Sequence, residues 1–366
     1  MDVVVSRGGR KLVSIQILRC LAAIVVVLYH IGEKIKVDSN TGFFQVGAIG
    51  VDIFFIVSGF IMMLVSQRET KATVFLKKRF VRIFPIYWVY TTIALMVFVL
   101  FPGAINSTQG GTAILQSYFL IPVQGKSFLL LVAWTLSYEM LFYILFSIGL
   151  FFKLNQLYFL TATVTSLVVI GAISDEYYTH KMLSPIMLEF LVGVWMYYLY
   201  NSKIIVGVNN WENILYIALP LLILLSFVFI NNAEREVYTT IMNNRYLFLC
   251  IPAVSLFGFV VLVEKKLGGG KIVNGLSYIG NTSYSLYLSH LFAINAVFMI
   301  FKFMGLDYKS TGSAIAAFFI AILVGIASYE VIERRVLPYC IKKILSKYYM
   351  LKFNIKNMVN ISRPIK

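Results

Sequence analysis

The sequence predicts an all-α polytopic membrane protein with about ten transmembrane helices and both termini in the cytoplasm. Three observations carry that prediction. Of the 366 residues, 60% are hydrophobic and only 13% charged, about half the charged fraction of a soluble domain. Apolar runs of membrane-spanning length recur along the whole chain. With the N-terminus placed inside, the segments between those runs hold 23 basic residues on the inner side and eight on the outer, leaving Arg19 within the membrane. Positively charged loops stay cytoplasmic, so this asymmetry implies an even number of crossings. The net charge of +16 therefore reflects topology and contact with anionic membrane lipid, not nucleic-acid binding.

The expected spans are 14–32, 46–66, 83–101, 129–150, 156–173, 184–200, 213–230, 245–263, 281–301 and 312–333. Together, residues 1–340 make one membrane domain, with no room for a sizeable soluble one. Residues 341–366 form a basic cytoplasmic tail expected to lie along the inner membrane surface. Cys20, Cys250 and Cys340 are odd in number and two of them sit in apolar runs, which indicates neither a disulfide framework nor a metal site.

The first span, Ser14–Ile31, reads SIQILRCLAAIVVVLYHI. It is too long, and too polar at its ends, for a removed signal peptide. It carries Arg19 and His30, which are eleven residues apart. That spacing is close to three helical turns, so the two share a face about 16 Å apart along the axis. Ionisable groups on a spanning helix usually face a bundle interior or a wet cavity. The alternative is an arginine that snorkels to the head groups and a histidine that caps the other end.

Span two contains GVDIFFIVSGF, Gly50–Phe60. Asp52 enters at the level of His30, where a carboxylate would orient the imidazole; otherwise it is an interfacial aspartate. Ser58 and Gly59 are small enough to let helices approach closely. The loop leading into span three reads KKRFVRIFPIYW from Lys77. Arg79 and Arg82, three apart, lie on one helical face on the same side of the membrane as Arg19. Three guanidinium groups at one level suit a polyanion bearing phosphates, whereas Lys77 and Lys78 suit a topogenic loop. The outer loop 102–128 is the longest, and its apolar centre, Ile114–Val123, is expected to dip into the membrane or lie on it.

Span four begins WTLSYEMLFY, Trp134–Tyr143. Glu139 lies deep enough to need a partner, either His30 or an arginine. Trp134 and Tyr138 flank one face, or anchor the helix at the interface. His180, in an outer loop, has nothing to distinguish it. The stretch Gly268–Lys271 lacks the upstream glycine and the following hydroxyl of a phosphate loop and reads as a linker. In span nine, Ser283, Tyr287 and His290 make one face polar, and His290 suits a hydrogen-bonded structural role. Span ten ends with Tyr329 and Glu333, four apart, followed by Arg334 and Arg335; Glu333 is placed to hold one of the ligand arginines. Asn106 and Asn281 open nominal glycosylation sequons of little weight.

No catalytic triad, metal motif or nucleotide fingerprint is present. A cationic inner site and an embedded histidine joined along one helix face suit a long ligand, phosphate-rich at one end and reactive at the other. A coenzyme A thioester has that shape, and a histidine at its thioester end would serve as general base toward a hydroxyl or carry the acyl group covalently. A transporter or flippase of a lipid-linked glycan, without chemistry of its own, is the competing class.

These blocks resemble the acyltransferase 3 family of membrane O-acyltransferases, which modify bacterial surface glycans. The likeness covers about residues 13–340. It rests on Arg19-x10-His30, Arg79-x-x-Arg82, Gly50–Phe60, Trp134–Glu139, Ser283–His290 and Tyr329-x-x-x-Glu333, in that order. The resemblance implies His30 as the essential histidine, with Asp52 and Glu139 joining it as candidate catalytic residues. Arg19, Arg79 and Arg82 become the acyl-coenzyme A site, and His290, Tyr329 and Glu333 supporting residues. It implies acetyl-coenzyme A as donor and a bacterial inner membrane location, and with no metal motif in the chain no metal is expected. The acceptor would be lipopolysaccharide, exopolysaccharide, peptidoglycan, a Nod factor or another polysaccharide or lipid-linked glycan, with no choice among them from the sequence. Since no fused hydrolase-like domain follows, the chain is expected to act alone, as a homo-oligomer or with a separate periplasmic partner.

Overall fold

A computed structural model describes residues 12–35, 46–69, 71–101, 111–176, 182–202, 209–231, 245–264, 267 and 270–343. Outside them lie His180, the sequon at Asn106, Gly268 and Gly269, and the tail from residue 344 onward.

The described chain is an all-α bundle. Its helices are α1 Val13–Ile35, α2 Ile49–Ser66, α3 Ala72–Leu100, the short α4 Ile114–Phe119, α5 Ala133–Phe151 and α6 Gln156–Ile173. They continue with α7 Leu188–Asn201, α8 Asn209–Asn231, α9 Cys250–Val263, α10 Lys271–Phe303 and α11 Thr311–Ser328. Every expected span falls on one of these helices. Among the described residues, seven helices are long and apolar enough to cross a membrane: α1, α2, α3, α5, α6, α10, and α11 with its continuation to Lys343. The protein is thus a multi-pass membrane protein by length and composition. Large apolar side chains such as Val99, Ile173 and Phe303 face outward, where lipid replaces a protein core.

Three element boundaries differ from expectation, each for a local reason. Helix α3 starts eleven residues before the expected 83, so the basic cluster is helical, not a loop. Phe75 is buried one turn before Arg79, which supplies the apolar stripe that anchors this extension. Helix α10 starts at Lys271 instead of 281 and, at 1.5 Å per residue, runs for about 50 Å, well beyond a bilayer core. The apolar stretch 245–263 is broken at Leu249. There Pro252 cannot donate to the carbonyl four residues back, which ends the regular ladder.

Close approaches set how the bundle packs. A Cβ on Gly59 would sit 2.1 Å from the Phe190 carbonyl oxygen, and one on Gly280 would sit 1.9 Å from that of Gln16. Glycine is what lets α2 meet α7 and α10 meet α1 backbone to backbone. The start of α1 is capped by Glu264, whose carboxylate accepts from the Val13 and Ser14 amides at 3.2 and 2.6 Å. A carboxylate there satisfies orphan donors and complements the helix dipole. The segment between α3 and α5 is tied to the bundle. Helix α4 is tied to α3 by Tyr87, whose hydroxyl donates to the Ser117 carbonyl, and by Trp88, whose indole donates to the Tyr118 carbonyl at 2.9 Å. Two-residue strands at Gly111–Thr112 and Lys126–Ser127 pair in parallel and close this segment. After α11, Tyr329–Val336 is a π-helical stretch, a wide form that recurs at functional sites.

Candidate active site

The first helix carries Arg19 on the face that packs inward, 7% exposed. Its Nη1 donates to Gln16 Oε1 at 3.2 Å, one turn back. Helix α3 brings Arg79, 1% exposed, and Arg82 to the same place. All three arginines line one cavity, together with Ser58 of α2, Glu139 and Tyr143 of α5, and Ser283 and Tyr287 of α10. The cavity holds about 770 Å³ of space, part of it open to the outside. The expectation that Arg19, Arg79 and Arg82 share one site therefore describes the geometry. Lys77 and Lys78 are exposed and stand apart from it; Lys78 Nζ lies 2.9 Å from Glu69. That hydrogen bond holds the Glu69 carboxyl below its ordinary range.

Two carboxylates, Glu139 and Glu333, act electrostatically on Arg19. Glu139 accepts from the Tyr143 hydroxyl and, at 3.2 Å, from the Ser58 hydroxyl. Glu333 accepts from Ser285 at 2.7 Å. Arg19 is repelled by Arg82 and attracted by Glu333 and Glu139. The partner of Glu139 is thus a tyrosine and a serine, with the arginines acting across the cavity. Glu333 braces Arg19 through space, and the carboxylate that grips Arg334, at 3.0 Å, is Glu330. Tyr329 is buried beside Tyr278, with ring centroids 6.3 Å apart. Among the described residues the Ser283 hydroxyl is buried without a partner, so it remains available to a ligand. Ser58, expected only to let helices approach, is a polar wall residue; Gly59 provides the approach.

His30 stands at the other end of α1 and does not line this cavity. Phe54, Thr135 and Tyr287 also line the cavity. The Tyr287 hydroxyl bridges Thr135 Oγ1 at 2.8 Å and the Val132 carbonyl at 3.1 Å. Its ring lies 5.9 Å from the His290 ring, which lies 5.2 Å from the His30 ring. Tyr287, which lines the arginine cavity, and His290 thus link that cavity to the His30 ring through successive ring contacts.

The carboxylate hydrogen-bonded to His30 is Glu33, where the sequence pointed to Asp52. His30 Nδ1 lies 2.9 Å from Glu33 Oε2, on its own helix. A carboxylate only accepts, so Nδ1 donates and Nε2 keeps its lone pair. Asp52 is wholly buried on the face of α2 that also carries Ile56 and Gly59, which meet α7. Its charge, with that of Glu189, acts on the Cys250 thiol of α9. Glu33 was legible as the i+3 neighbour of His30, and Gln16 as the i−3 neighbour of Arg19. Tyr287 carried no signal beyond its place on a polar face. His290 is fully buried and hydrogen-bonded to backbone, as a structural histidine would be. Trp134 and Tyr138 meet edge to face at 6.0 Å and line a different cavity on the other side of α5.

Fold and site together define a polytopic helical membrane protein with a buried cationic pocket at one end of its first helix and an imidazole at the other. The chain belongs to the acyltransferase family whose model, described as an acyltransferase domain, matches residues 12–330. It is 31% identical over 324 residues to the exopolysaccharide production protein ExoZ of Rhizobium meliloti (strain 1021), covering 85% of this chain and 94% of that protein. It is 34% identical over 122 residues to the peptidoglycan O-acetyltransferase OatA of Listeria monocytogenes serovar 1/2a, covering 31% of this chain and 18% of that protein. The acyltransferase MdmB of Streptomyces mycarofaciens is 28% identical over 151 residues, 37% of this chain and 38% of that protein. No solved structure matches the chain.

Proposed function

We propose that this protein is an O-acyltransferase of the bacterial inner membrane. It moves an acyl group, acetyl in the first instance, from cytoplasmic acyl-coenzyme A to a hydroxyl of a cell-surface or lipid-linked glycan. The observation that carries this reading is the convergence of Arg19, Arg79 and Arg82 on one cavity, a donor set suited to the phosphates of coenzyme A. The names of two relatives, one for exopolysaccharide production and one for peptidoglycan O-acetylation, favour a polysaccharide acceptor, with exopolysaccharide first. A transporter would have no use for three guanidinium groups, two of them buried, on one pocket.

On this reading the chain crosses the membrane ten times, both ends are cytoplasmic, and the arginine cavity opens inward. Helices α7 and α9, with 14 residues each, measure about 21 Å and cross with help from flanking turns or a locally thinned bilayer. Residues 1–340 act as one domain and the tail rests on anionic lipid. Coenzyme A phosphates bind the arginines, and the pantetheine arm runs toward Phe54, Thr135 and Tyr287. The Tyr287 side chain swings aside to let the thioester meet His30. The acceptor hydroxyl gives its proton to His30 Nε2 as its oxygen attacks the thioester carbonyl. The carbon–sulfur bond breaks, and the leaving thiolate takes the proton back from the imidazolium. Glu33, bonded to Nδ1, stabilises that imidazolium and fixes its tautomer.

The test uses inside-out membrane vesicles and labelled acetyl-coenzyme A. Label should appear in cell-surface polysaccharide with the wild-type protein and vanish with His30→Ala at equal protein level. Equal labelling with and without the protein would overturn the assignment.

A further inference from the structure

One hydrogen-bonding position beside His30 is left open. His290, on α10, is fully buried. Its Nδ1 lies 2.7 Å from the Tyr287 carbonyl oxygen and 3.2 Å from that of Leu286. Carbonyls only accept, so Nδ1 carries the hydrogen, and in the neutral ring Nε2 holds a bare lone pair. That Nε2 is buried with no partner among the described residues. A buried acceptor left unmade is costly, and in a native structure it calls for an explanation.

The surroundings do not supply a donor. The His30 ring is 5.2 Å away and tilted by 37°, but its own Nδ1 is spent on Glu33, leaving Nε2 as an acceptor too. Two neutral imidazoles that each present a lone pair cannot satisfy one another. The Tyr287 hydroxyl is engaged by Thr135 and the Val132 carbonyl, and the Tyr29 side chain bonds Glu33. Among the described residues no donor reaches this nitrogen, and a substrate hydroxyl is a group of the right chemistry to supply one. The adjoining His30 side chain is 14% exposed, which gives such a group an approach.

We infer that the acceptor presents two adjacent hydroxyls to this histidine pair. One gives its proton to His30 Nε2 and is acylated; its neighbour donates a hydrogen bond to His290 Nε2 and is not. Adjacent hydroxyls on a sugar ring lie about a hydrogen-bond length apart, near 2.8 Å, so a diol seated on one imidazole reaches the other. His290 moves no proton. It selects which hydroxyl meets the base, and its neutral lone pair favours a diol over a carboxylate, which has no hydrogen to give. This inference rests on the reading of His30 as the base.

The test begins with de-O-acetylated cell-surface polysaccharide, wild-type membranes and labelled acetyl-coenzyme A, with the acyl position read by NMR. The acylated hydroxyl should have a free hydroxyl on the adjacent carbon; a position without one overturns the inference. The methyl glycoside of the sugar so identified, and its analogue lacking the neighbouring hydroxyl, are then compared as acceptors or as competitors of the polysaccharide. Wild-type protein should prefer the parent by about tenfold or more. His290→Leu should lose that factor on the parent and no longer distinguish the two, while His290→Gln, which keeps an acceptor oxygen, should distinguish them again. If the deoxy and His290→Leu losses multiply instead, His290 only packs and the inference fails. Should His290→Leu not accumulate, equal use of both glycosides by wild-type protein is decisive against it. Absence of label from every polysaccharide would sink the transferase reading; label without preference would sink this inference alone.

Discussion

Glu33 and His30 show how much a single hydrogen bond decides. The carboxylate sits on the same helix face as the imidazole and, in the neutral ring, fixes Nδ1 as the nitrogen that carries hydrogen, which leaves Nε2 for the proposed role of base. General-base residues contribute about 10²–10⁴-fold, so His30→Ala should lower transfer by at least that order while the protein stays folded. Near-normal transfer at equal protein level would remove His30 from the mechanism. Glu33→Gln should cost less, because the ring can still be held while the imidazolium loses its counter-charge; a loss equal to that of His30→Ala would mean that Glu33 itself handles a proton. On the donor side, a hydrogen bond to a charged group is worth about 1.5–3 kcal/mol. Arg82→Ala should therefore weaken acyl-coenzyme A binding about tenfold or more, read by equilibrium binding to purified protein, and unchanged affinity would rule Arg82 out as a phosphate ligand. Arg19, Arg79 and Arg82 were readable as a group from the sequence, because each spacing puts a guanidinium on a known helix face. Asp52 shows the limit of that reasoning, because depth along a helix says nothing about azimuth until the neighbouring helices are placed.

At the scale of elements, the close approach of α2 and α7 holds the cavity wall in place. Ser58 faces the cavity and Gly59 faces Phe190, so one pair of consecutive residues serves both site and packing. Gly59→Ala would place a Cβ 2.1 Å from a backbone oxygen, which cannot yield without moving a helix. Overpacking of this kind costs about 1–3 kcal/mol. A lower unfolding temperature in detergent and a reduced membrane level are the expected results; wild-type stability would mean the two helices separate freely. The π-helical stretch after α11 carries Glu333 to Ser285 and, through space, to Arg19. Glu333→Gln should keep the Ser285 hydrogen bond and lose the attraction, lowering donor affinity severalfold with little effect on transfer at saturating donor. The extension of α3 down to Ala72 was hidden from the sequence because its run of charge resembles a loop. Only the burial of Phe75 against its neighbours reveals a helix with one apolar stripe.

At the scale of the whole molecule, the bundle places the arginine cavity and the histidine pair at opposite ends of α1, with Tyr287 between them. With the native cysteines replaced, Lys77→Cys should react with a membrane-impermeant maleimide only from the cytoplasmic side, and Lys34→Cys only from outside. Labelling of both from one side would overturn the proposed orientation and the direction of acyl transfer with it. The class of molecule, the order of its helices and the arginine face of its site were set by composition and by periodicity along the chain, which are local properties. What fills the space between those helices was not. That Glu139 meets Ser58 of α2, that Tyr287 meets Thr135 of α5, and that the His290 ring lies beside the His30 ring all depend on which helix lies beside which. That arrangement is settled by contacts between residues far apart in the chain, such as Gly59 on Phe190 and Gly280 on Gln16.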